Sequence, residues 1–228
     1  MGDSWALGEW RRDPDTGYHI SHGGVRQYLR EAGHHTVSVA DAGASNWSQL
    51  DRLARHHPYQ AAGSEYHVAG VDVIIWFVTD PLRDLDRQPR TLDRFHLERE
   101  RLIRLSMTQM RERCQDRRVL LVGAVASLPA WLSGEFPGFD VVTRDLTRWL
   151  IPDTAVDQAY CNRTWRYAAC DTALMDHHEL QESRRETFQW RAENRPETAE
   201  HRWFWPDGQH PNREAHLRLT QELILPLL

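Results

Sequence analysis

"VDVIIWFV", Val71 to Val78, is a β-branched and aromatic run interrupted only by Asp72. A strand with one wet face alternates apolar and polar residues. A strand that is apolar at both parities is buried on both faces, as in parallel sheets covered by helices. "VLLVGAVA", Val119 to Ala126, reads the same way, and "FDVVTRDL", Phe139 to Leu146, is a weaker third. Upstream, "HTVSVA", His35 to Ala40, alternates like a strand and enters the loop "DAGASN". Helical spacing marks Gly23 to Gly33, with Val25, Tyr28 and Leu29 inward, and Trp47 to His57, with Leu50, Leu53 and Ala54 inward. The longest helix is expected over Leu92 to Arg113, with Leu97, Leu102, Leu105 and Met110 among its apolar positions. Further helices are expected over Asp171 to Arg195 and Asn212 to Leu227. Strands alternating with helices give an α/β fold, a mostly parallel sheet between two helical layers.

The chain has 228 residues, a length for one such domain, and no linker or repeat divides it, so residues 1–228 are read as a single unit. A net charge of -5 argues against a nucleic-acid partner or an anionic membrane surface. All 28 basic residues are arginine, which excludes Schiff-base chemistry and a phosphate-binding P-loop lysine. Cys114, Cys161 and Cys170 show no ligand spacing and are expected to be reduced thiols. The first ten residues carry charges and no apolar core, so no secretory leader is read there and a cytoplasmic protein is expected. No apolar stretch is long enough to cross a bilayer.

Loops at the carboxyl ends of parallel strands are where ligands bind. Here they are "GDSW" at the start, "DAGASN" and "FVTDP", with "WPDGQHPN" (Trp205 to Asn212) just ahead of the last helix. Asp207 and His210 stand three apart around a glycine, a spacing that lets a carboxylate hold an imidazole in one tautomer. Imidazole titrates near neutral pH and suits general-base work; Ser4 offers the hydroxyl. The bland alternative is a polar turn with a helix cap.

Taken together, "GDS", "GASN" and "DGQHPN", in this order from Gly2 to about Leu223, resemble the SGNH/GDSL hydrolases. The phrases "GDSWALGEW", "FVTDPLRDL" and "PDGQHPNREAH" are similar to a subgroup met in phage and environmental sequences. The resemblance implies a flavodoxin-like three-layer α/β/α sheet and a serine esterase that needs no cofactor. Ser4 would be the nucleophile, His210 the base and Asp207 its orienter. The backbone N–H groups of Ser4 and Gly43 would face the oxyanion. The family's next donor is an asparagine side chain; the matching position here is Thr79, and Asn46 is the alternative donor. Trp5 and Trp205 are expected to line the substrate, a small-molecule or glycan ester with a short acyl group such as acetyl.

The family carries an apolar central strand immediately before GDS, whereas only Met1 and Gly2 stand there in this sequence. Either the start lies upstream, which is the working expectation, or another strand fills the gap. A binding or particle-associated protein on a hydrolase scaffold is the alternative function. The histidine pairs His34-His35, His56-His57 and His177-His178 have no metal-ligand spacing, and no metal site is expected. The sequence leaves the oligomeric state open.

Overall fold

A computed structural model describes residues 1–13, 15–55, 71–85, 92–114, 117–124, 128–150, 203 and 210–228. In chain order these form α1 (Ser4–Leu7), β1 (Glu9–Asp13), β2 (Gly17–His22), α2 (Gly24–Glu31), α3 (Asn46–Arg55) and β3 (Val73–Val78). Then come α4 (Leu92–Cys114), β4 (Arg118–Gly123), α5 (Leu132–Glu135), β5 (Phe139–Thr143), α6 (Leu146–Leu150) and α7 (Arg213–Leu219). The helix of α7 widens into a π turn over Thr220–Ile224 and tightens into a 3-10 turn over Leu225–Leu227.

The fold is α/β, built on a parallel sheet in the order β3-β4-β5. β3 and β4 pair in register from Val73 opposite Arg118 to Val78 opposite Gly123. The unbroken apolar run of β3 now has its reason. Val73, Ile75 and Phe77, with Leu120 and Val122 of β4, pack in one cluster with Val25 and Leu29 of α2 and Ala215 and Leu219 of α7. Ile74, Trp76 and Val78, with Val119 and Leu121, pack in another with Leu50 and Leu53 of α3 and Ile103, Met107 and Met110 of α4. Each parity of the strand has its own core to fill. The indole N–H of buried Trp76 donates to Gln49 Oε1 at 2.7 Å, so the polar tip of this side chain stays satisfied.

Three expectations change. α4 is present, but Leu97 is 63% exposed and Leu105 37%. Leu102 and Met110 are fully buried as expected, and the buried line continues through Ile103, Ser106, Met107 and Cys114, a stripe of spacing three and four. Residues 34–40 form no ladder, although "HTVSVA" alternates as a strand does. The neighbour that segment needs is reduced to Gly2, whose carbonyl accepts from Asp41 N at 3.1 Å. Finally, Glu9–Asp13 and Gly17–His22 pair as an antiparallel hairpin that the sequence reading passed over, with Trp10 opposite Ile20. The helix expected over Asp171 to Arg195 lies outside the described residues. Among the described residues no helix is long and apolar enough to cross a membrane.

Candidate active site

The amino terminus is held as part of the sheet. Met1 N donates to Ile75 O at 2.6 Å and Phe77 N donates to Met1 O at 3.0 Å, so Met1 lies beside β3 in parallel sense. Gly2 can only be glycine there: a Cβ would come within 2.5 Å of Ala6 Cβ and 2.7 Å of Phe77 Cβ. Asp3 is fully buried and caps α1, its Oδ1 accepting from Trp5 N at 3.0 Å. Its Oδ2 accepts from Thr79 Oγ1 at 2.6 Å and from Arg83 Nη1 at 3.0 Å, so the buried charge is paired. The Ser4 carbonyl accepts from Trp10 Nε1 at 2.9 Å.

His210 arrives from the far end of the chain. Asn212 caps α7 through Oδ1, which accepts from Ala215 N at 3.0 Å, and Asn212 N donates to the carbonyl of buried Trp203 at 2.7 Å. Glu9, at the start of the hairpin, accepts from Arg213 N at 2.8 Å and from Arg213 Nη2 at 2.6 Å. Burial pushes the Glu9 carboxyl up, but hydrogen bonds from the Arg213 side chain and backbone and from Ser21 outweigh it and leave the group below its ordinary range. The hairpin and α7 are thereby clamped two residues ahead of β1's Arg11 and three beyond His210. Between the clamp and the sheet, Ser4 Oγ and His210 Nε2 stand 2.8 Å apart. In the tautomer with Nε2 unprotonated, the Ser4 hydroxyl donates to it. The Trp10 ring lies beside His210, with centroids 5.6 Å apart and planes tilted by 36°.

The other sequence-derived residues fall differently. Thr79 has one hydroxyl proton, and Asp3 holds it. Asn46 is fully buried; its Nδ2 donates to Thr79 O at 3.0 Å and its Oδ1 accepts from Thr79 N at 3.0 Å. The amide thus pins the end of β3 to the start of α3. Gly43 is exposed on its loop with φ 72°, a left-handed conformation that favours glycine, and open space lies where a Cβ would be. Trp5, expected to line the substrate, is only 2% exposed and belongs to the core with Val25, Leu29 and Phe77. Its place beside the imidazole is taken by Trp10. Asp207 and Trp205 lie outside the described residues.

Sequence reasoning missed the Glu9–Arg213 clamp: the two residues lie in the phrases "GDSWALGEW" and "PDGQHPNREAH", but they stand 204 positions apart and no spacing pairs them. The hairpin had a readable signal. Asp13 Oδ1 accepts from Asp15 N and Thr16 N, both at 2.9 Å, the hydrogen bonds of a turn in "DPDTG". Among the described residues, no group of three or more His, Cys, Asp or Glu side chains could hold a metal ion. No protein-family model, curated protein or solved structure matches the chain.

Proposed function

We propose that the protein is a serine esterase of the SGNH/GDSL kind, on a three-layer, flavodoxin-like sheet in which residues 34–40 and Met1 occupy the first two strand places. The observation that carries the reading is the 2.8 Å approach of Ser4 Oγ to His210 Nε2 across almost the whole chain. A serine hydroxyl bonded to an imidazole is the arrangement that activates an alcohol as nucleophile.

In this mechanism Ser4 Oγ attacks the ester carbonyl carbon while His210 Nε2 takes the hydroxyl proton. The oxyanion rests on the backbone N–H groups of Ser4 and Gly43. Collapse breaks the bond to the alcohol, which leaves with the proton from His210. Water then repeats the sequence on the acyl-enzyme, releasing the acid and restoring Ser4. Asp207 is assigned the role of holding the imidazole. The proposed substrate is a short acyl ester, such as an acetylated sugar.

A second reading, a binding protein on a hydrolase scaffold, is favoured by one observation. Both side chains that could complete the oxyanion hole, Thr79 and Asn46, are engaged in structural hydrogen bonds. Hydrolysis of p-nitrophenyl acetate separates the two. Esterase action requires turnover that falls by roughly a thousandfold or more in Ser4→Ala and in His210→Ala. Turnover at the level of free imidazole, unchanged in both variants, would establish the binding protein.

A further inference from the structure

One side chain touches both reacting partners. Trp10, the second residue of β1, donates its indole Nε1–H to the carbonyl of Ser4 at 2.9 Å. Its ring lies 5.6 Å from the His210 imidazole, centroid to centroid, with the planes tilted by 36°, nearer to stacked than to edge-on. Both partners need such support. Ser4 opens α1, a single turn of four residues, too short to persist without outside contacts. His210 stands 206 positions away, on the approach to α7, and meets Ser4 through one hydrogen bond of 2.8 Å. Trp10 comes only six positions after Ser4, and the clamp from Glu9 to Arg213, three residues beyond His210, begins at its immediate neighbour. The indole therefore sits where the amino-terminal turn, the hairpin and the start of α7 converge.

We infer that Trp10 is the positioning residue that sets nucleophile and base against each other, an inference that rests on the esterase reading. Its two contacts act at different moments. The N–H bond fixes the backbone that carries Ser4 Oγ before any substrate reacts, and a shift of that oxygen by about 1 Å can cost about a hundredfold in rate. The same bond stops the indole from turning, so the ring keeps its place beside the imidazole. When His210 Nε2 takes the Ser4 proton, the imidazole becomes a cation within the roughly 6 Å over which an aromatic ring attracts positive charge. That attraction is gained only as the proton moves. It therefore favours the transition state over the bound substrate, and its effect belongs in kcat and not in KM.

The test follows turnover of p-nitrophenyl acetate by the full chain in Trp10→Phe, which keeps a ring without the N–H, and in Trp10→Leu, which keeps neither. Trp131→Phe, at a tryptophan packed against Arg104 and Phe136, is the control, and Ser4→Ala sets the level of hydrolysis without the nucleophile. Per folded protein, kcat is expected to fall about tenfold in Trp10→Phe and about a hundredfold in Trp10→Leu, with KM within about twofold of the parent's. Trp131→Phe should keep kcat within about twofold. A graded return of kcat from Leu to Phe to Trp at constant KM is a pattern that a merely structural tryptophan would not give. Trp10→Phe decides by itself if Trp10→Leu does not fold. A kcat within about twofold of the parent's in Trp10→Phe, with Ser4→Ala inactive, would overturn the inference and leave the esterase reading standing. So would a raised KM at unchanged kcat, which would make Trp10 a substrate contact. Turnover that survives in Ser4→Ala would remove the esterase reading, and the inference with it.

Discussion

At the scale of single residues, the site turns on which hydrogen-bond donors remain uncommitted. Thr79 is a proposed oxyanion donor, but its proton goes to the buried Asp3 carboxylate 2.6 Å away. Thr79→Val should therefore act on stability. A buried charged acceptor that loses one of its partners costs about 1–3 kcal/mol, to be read from thermal or urea unfolding. The turnover of the folded fraction should stay within about threefold. A loss of about a hundredfold in kcat at unchanged stability would instead mark Thr79 as an oxyanion donor. Ser4 and His210 were legible because "GDS" and "Asp-x-x-His" are short, ordered signals. Trp10 was legible only as one of several tryptophans. Its distinction from Trp5 lies in the elements they belong to, Trp5 in α1 and Trp10 in β1, which no composition reveals.

At the scale of elements, the hairpin and α7 form one unit. Glu9 is buried to 7% side-chain exposure and Arg213 is 48% exposed, so removing Arg213 leaves a buried carboxylate short of donors. Arg213→Ala should cost about 1–2 kcal/mol, held down by solvent screening of the half-exposed guanidinium. It should also lower turnover more than a surface substitution such as Arg101→Ala, because the start of α7 positions His210. Equal unfolding midpoints for Arg213→Ala and the parent would show that the clamp is idle. Elements whose two faces are both buried, β3 and β4 from Val119 to Val122, could be read directly, since their sequences had to be apolar at both parities. The alternation of "HTVSVA" misled for the complementary reason. A strand exists only with a partner, and the partner position beside residues 34–40 is filled by Gly2 alone. The length of α4 was readable but its inward face only in part: Leu102 and Met110 lie on the buried stripe, Leu97 and Leu105 off it.

At the scale of the whole molecule, two buried bases set the response to acid. Burial lowers the Met1 amino group from 8.0 to about 5. Burial, then the charge on His22, lowers His216 from 6.5 to about 4. Between each pair of values the unfolded chain binds a proton that the folded chain does not, so stability rises with pH across that window. The Glu9 carboxyl, also held low, loses its stabilising contribution as pH falls through its folded pKa. The melting temperature should thus fall from pH 8 towards pH 5 and further below it. Amino-terminal acetylation should flatten the portion between pH 6.5 and 8, and His216→Met part of the portion below 6.5. A pH-independent melting temperature over this range would mean that neither base is desolvated. The largest claim made of the molecule is that its two ends meet to make a nucleophile, Ser4 against His210 at 2.8 Å. Reaction with a fluorophosphonate tests it most directly, since phosphonylation with loss of fluoride requires an activated alkoxide. One adduct per chain is expected, mapped to the peptide containing Ser4, absent in Ser4→Ala and slowed about a hundredfold or more in His210→Ala. A folded protein that takes up no label, or one that still labels in Ser4→Ala, would contradict it.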